Sequence, residues 1–185
     1  MSELDEFSRD IAAHVRTYLA GVHEIATGES PETAVSGLIV QLAQISMAGA
    51  MLGAVSDIVP PDRFEEDTGP DPDGDPLRES LGRLLEGLDE YASVFDPLVP
   101  ERPVHGRVSD DVADVAIELA HGVRHHEAGR FEEALWWWQF SYLSHWGAQA
   151  LNAQRALLSI VAHQRLDSED ETASAAEVDA LLREG

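Results

Sequence analysis

Cysteine is absent from all 185 residues, which removes disulfides, thiolate nucleophiles, iron–sulfur clusters and cysteine-based zinc sites together. Lysine is absent too, so all 12 basic residues are arginine. Against 35 acids they leave a formal net charge of -23, a field that repels nucleic-acid phosphates and anionic membrane surfaces. Neither nucleic acid nor membrane is an expected partner. No Gly-rich phosphate loop, nucleophile elbow or HExxH motif occurs, and the serines lack motif context, so the sequence offers no catalytic residue and implies no cofactor. The opening "MSELDEFSRDIAAHV" carries acids where a targeting peptide needs basic residues. No apolar run reads as approaching the roughly eighteen residues that span a bilayer. A soluble, cytoplasmic protein is expected.

The charge is uneven. Residues 57–76 hold eight acids and one arginine, and 167–185 hold seven acids and one arginine, so these two stretches supply 13 of the 23 negative charges. Both read as solvated segments rather than as surfaces for a basic partner. The expected organisation is therefore one domain over 1–166, interrupted by an acidic Pro/Asp/Gly loop at 57–75 and followed by an acidic, disordered tail at 167–185. Within the loop, DPDGD resembles a calcium site, but Ser80 stands where the bidentate glutamate belongs.

What is present is helical periodicity. Leu4, Phe7, Ile11, Val15, Tyr18, Val22 and Ile25 recur at steps of three and four, one face of a long helix begun by Ser2 and Asp5 and ended at Gly28. Ser30 and Pro31 then cap a second helix to about Val55, whose "AVSGLIVQLAQISMAGAMLGAV" contains no charge and so reads as centrally buried. A third helix starts at Asp75 and Pro76 with Leu77, Leu81, Leu84, Leu88, Tyr91 and Phe95 inward, and stops before Pro97. Ser109 caps a fourth, with Val112, Val115, Leu119 and Val123 inward, ending near Gly129. Phe131 opens a fifth that runs to about Leu166, with a possible break near Gly147. Nothing reads as a strand, and the fold class is all-α: a single-domain bundle of about five helices.

Seven of the 12 aromatics lie between Phe131 and Trp146. Three consecutive tryptophans cover roughly 200° of a helix, so Trp136, Trp137 and Trp138 cannot share one core stripe. Trp138 falls with Phe131, Leu135, Tyr142, His145 and Gln149 on the inward face. Trp136 stacks over Phe140, and Trp137 aligns with the small Ser141 and Ser144, which leave its ring accessible. Either this helix is surrounded on most sides, or one face meets a partner. The second reading makes Trp136, Trp137, Phe140 and Trp146 the interaction residues, with a protein partner or a homo-oligomer as the occupant.

The stretch "GRFEEALWWW" resembles a tetratricopeptide hairpin, with Gly129 at the turn, Phe131, Ala134 and Trp138 at the signature spacing, and Gly122 at the small position of the preceding helix. No second copy lies 34 residues away, so only a helix-turn-helix in the C-terminal half is implied. "EALWWWQFSYLSHWGAQALNA" is similar to the signature of DUF5063, a mainly actinobacterial domain of unknown function. That resemblance spans the first helix to about Leu166 and implies no activity.

Glu118, His121 and His125 occupy one face of the fourth helix, and with His145 they are the candidate metal ligands. The paired motif of a di-iron bundle is missing from any other helix, so histidines at a surface or between helices account for them better, and no metal is expected. The functional expectation is an intracellular protein-interaction module using 131–146, against a small-molecule or metal-binding bundle or a structural homo-oligomer.

Overall fold

The computed structural model describes residues 3–60, 69–70, 72–93 and 104–183, with side chains described through Leu166. Ser2, residues 61–68 and 71 of the acidic loop, Phe95, and the Pro97 before which the third helix was expected to stop lie outside the described residues. The chain forms an all-α bundle: α1 (Glu3–Ala26), α2 (Pro31–Ala54), α3 (Asp75–Leu84), α4 (Val108–Glu127), α5 (Phe131–Ser141) and α6 (Gly147–Arg183), with a π-helical turn (Tyr142–Trp146) between the last two. Because that turn is helical throughout, α5 and α6 make one continuous rod, and the described residues form five such rods.

The apolar stripe of α1 is inward over most of its length, with Ile11, Val15, Tyr18 and Val22 buried on a helix that packs against α2, α4 and α5, while Leu4 at its start is exposed. The Tyr18 hydroxyl donates to the Val112 carbonyl at 3.2 Å, so a buried phenol is satisfied by the α4 backbone. Ser30 caps α2, its side chain accepting the Thr33 amide, and Pro31 stands at the first turn. Beyond Leu166, in the segment expected as an acidic tail, the backbone continues as helix to Arg183. Alanine, glutamate and leucine there favour helix.

Three corrections concern organisation. First, α2 is not surrounded: Leu38, Leu42, Ile45 and Leu52 enter the core, while Val40 and Met47 face outward. It is also long and apolar enough, by length and composition alone, to cross a membrane, contrary to the sequence expectation. Second, α3 stops at Leu84, and the backbone beyond it turns into a strand. β1 (Glu90–Ser93) pairs antiparallel with β2 (Val104–Arg107), setting Tyr91 opposite Gly106. A Cβ at Gly106 would overlap the Tyr91 ring, so the missing side chain is what lets the ring lie across the ribbon.

Third, Ser109 is not the cap of α4 but its recipient. Asp89, buried just before β1, accepts the Ser109 amide and hydroxyl, each at 2.7 Å, and pairs with Arg107 at 2.9 Å. A remote carboxylate thus satisfies the first turn of α4, where a negative charge is favoured.

Candidate functional site

α4 and α5 meet through a turn at Gly129, whose φ of +77° suits glycine, and pack closely because Gly122 has no side chain. A Cβ there would overlap the Trp138 indole. Trp138 is wholly buried and donates its indole N–H to the Leu119 carbonyl at 3.0 Å. Its neighbour Trp137 departs from the sequence expectation. Rather than lying open beside two serines, it is partly buried and donates to the Glu118 carbonyl at 2.9 Å. The His121 ring packs on it with centroids 4.1 Å apart. Ser141 is buried with its hydroxyl on the Trp137 carbonyl, so the expected accessible surface is closed on that side, while Ser144 stays exposed.

The π turn settles which aromatic comes next on the inward face. In an unbroken α-helix His145 succeeds Trp138 at a seven-residue step, but the π turn admits one extra residue and rotates the rest of the rod by about 100°. Trp146 is therefore the buried residue, and His145 is exposed beside Ser144. This corrects two expectations at once: His145 is not on the core stripe, and Trp146 is no surface contact. Tyr142 and Trp146 sit against Gly49 of α2, where a Cβ would overlap both rings.

The metal candidates separate in the same way. His121 and His125 are ring neighbours at 5.3 Å on α4, with Glu118 one turn before them, while His145 stands exposed on the π turn. Among the described residues no three histidine, aspartate or glutamate side chains gather as a metal centre.

What remains at the surface of α5 is narrower than the sequence suggested. Trp136 stacks on Phe140 with centroids 5.6 Å apart and planes 13° apart, as expected, and Phe140 is 50% exposed. Between them in sequence, buried Gln139 reaches the end of α2. Its amide donates to the Leu52 carbonyl and its oxygen accepts the Ile58 amide, both at 2.8 Å. Carbonyls at a helix C-terminus lack intrahelical partners, and this one side chain supplies a donor while holding 55–58 in place. Exposed Val55 and Val59 flank that clasp. They line a groove of about 440 Å³ with Leu4, Phe7 and Ile58, rimmed by Glu3, Asp57 and Glu132. A single glutamine inside an apolar helix gives no sequence signal of this role.

A second cavity, of about 720 Å³, lies between β1 and α6, with Tyr91, Leu88 and Ile160 on its apolar side and Asn152, Arg155 and His163 on its polar side.

Compared with known proteins, a family model described as a domain of unknown function, DUF5063, matches residues 2–163. Among solved structures the chain is similar to the crystal structure of protein BF1032 from Bacteroides fragilis, a structural genomics target. The TM-score is 0.60 and the identity 17%, over 81% of this chain and 89% of that one. At that identity the likeness is one of fold. No curated protein matches.

Proposed function

The chain belongs to the DUF5063 family, whose function is unknown, and from that premise we propose a helical protein-interaction module that docks a basic amphipathic segment of another protein. The observation that carries the reading is the Gln139 clasp, by which the helix that bears the Trp136 and Phe140 pair fixes the segment of exposed Val55 and Val59 along the groove. A preorganised apolar surface loses little freedom when a partner docks. Charge selects the partner: Glu3, Asp57 and Glu132 border the groove on a chain of net charge -23, so an apolar anchor flanked by arginine or lysine is complementary. The tetratricopeptide-like character of α4 and α5 supports the same class of function, since such hairpins serve as binding scaffolds.

The test uses two short helical peptides of one pattern, one built from leucine and arginine and the other from leucine and glutamate. Tryptophan fluorescence should report saturable, salt-sensitive binding of the first only, weakened at least about tenfold by Phe140→Ala. Equal binding of both peptides, or no effect of Phe140→Ala, would remove the proposal.

A second reading has its own observation. Among the described residues Arg155 makes no ion pair, and it lines the 720 Å³ cavity beside Asn152 and His163, an arrangement suited to a small carboxylate with an apolar body. Calorimetric titration with short aliphatic carboxylates, repeated on Arg155→Ala, separates it from the first.

A further inference from the structure

α2 carries no charged residue from Thr33 to Ala54, and its outward residues are patterned. Ser36, Val40, Ala43, Met47, Ala50 and Ala54 are all exposed, at alternating steps of four and three; Val40 and Met47 are each 52% exposed. These positions share one face of the helix, and that face is small or apolar and uncharged along its length, where a solvated face carries charge. The apolar character continues on the adjoining helix. Leu143 comes within 4.0 Å of where a Cβ on Gly53 would stand, and exposed Leu151 and Leu158 lie further along on α6, which packs against α2.

Size alternates along the seam in a way that names its occupant. A two-fold axis level with Ile45, with the helices antiparallel, sets Ser36 against Ala54, Val40 against Ala50 and Ala43 against Met47. Each large side chain then meets a small one. A parallel arrangement in register instead sets Val40 on Val40 and Ala43 on Ala43, leaving alternate crowding and gaps. The charge points the same way. A foreign basic partner would be recognised through acids, which this face lacks, whereas two chains of net charge -23 approach each other best along an uncharged face. Its extent is sufficient: a helix about 36 Å long with one neighbour about 10 Å away offers roughly 700 Å² per copy, close to the usual half of a stable interface.

We infer that α2 is the seam of a two-fold, antiparallel dimer of this chain, apart from the exposed Phe140 on α5. The absence of cysteine makes introduced cysteines clean reporters. Purified protein should sediment as a dimer at micromolar concentration, and Met47→Glu should raise the dissociation constant at least about tenfold without changing helicity, because that side chain is exposed. Phe140→Ala should leave the dimer intact.

Under oxidation, a mixture of Val40→Cys and Ala50→Cys chains should form the mixed disulfide dimer. Val40→Cys alone should not, since its two copies stand about 15 Å apart along the axis, beyond disulfide reach. Cross-linking of Val40→Cys with itself would mean a parallel seam and overturn the inference. So would a monomeric protein, a Met47→Glu variant that stays dimeric, or a monomer that co-sediments with phosphatidylcholine vesicles, which would put lipid on this face.

Discussion

Trp146, the last residue of the π turn, donates its indole N–H back to the backbone carbonyl of Trp138 in α5 at 3.3 Å. The two rings are wholly buried and belong to successive parts of one rod, so the turn carries a continuous apolar stripe through a change of register. Trp138→Ala and Trp146→Ala should each destabilise the fold by about 3–5 kcal/mol, as large-to-small core changes do. His145→Ala should stay within about 0.5 kcal/mol, as exposed positions do. Chemical denaturation of the three variants checks the register directly, because a rod without the π turn would exchange the outcomes at 145 and 146.

Trp137 is intermediate, partly buried and bonded through its indole N–H to the Glu118 carbonyl. Trp137→Phe retains most of the contact with His121 and removes the bond, which should cost about 0.5–1.5 kcal/mol. The measurement is again denaturation. A neutral outcome would show that water replaces the indole at that carbonyl.

Gln139 supports both the end of α2 and the apolar groove. Gln139→Ala should lower stability by about 1–3 kcal/mol, since it leaves the Leu52 carbonyl and the Ile58 amide without their partner in a buried setting. Hydrogen exchange supplies the specific readout: the Ile58 amide should lose protection before the core of α2 does. Uniform loss across α2 would instead mean that the clasp holds the whole helix rather than the segment after it.

The long elements were legible because their apolar residues keep to one helical period over many turns; α1 is the clearest case, with Ile11, Val15, Tyr18 and Val22 buried as the spacing requires. Short elements were not. Leu84, Leu88 and Tyr91 continue a helical spacing, yet the last of them lies on a four-residue strand whose pairing depends on Gly106, a residue far along the chain. The identity of the buried aromatic after Trp138 was hidden for a related reason. A π turn adds one residue without any change of composition, so His145 and Trp146 look interchangeable until the backbone is known. α2 misled in the opposite direction, because an uncharged sequence implies burial on all sides and cannot distinguish core from an open seam. The exposed Phe140 was expected from the aromatic count, but the groove of Val55 and Val59, and the glutamine that fixes them, form only in three dimensions.

The contact between Tyr91 and Asp111 should make stability depend on pH. Tyr91 donates its hydroxyl to the Asp111 carboxylate, tying the hairpin to the first turn of α4. Burial is the main cause that lifts the Asp111 carboxyl to about 6; the Tyr91 bond works against it, and Asp114, Asp110 and Asp89 add repulsion. An unfolded aspartate loses its proton near pH 4. Between those values the folded chain holds a proton that the unfolded chain has released, so the contribution of this group to stability is complete below about pH 4 and is lost as pH rises through about 6. Asp111→Asn keeps an acceptor for Tyr91 and removes the titration. The melting temperature of the variant relative to the parent should therefore rise from pH 4 to pH 6 and level off above. The difference between the two proteins isolates this group from the other 34 acids, whose effects they share. A difference that stays constant across that window would show that the Asp111 carboxylate is as well solvated in the fold as in the unfolded chain.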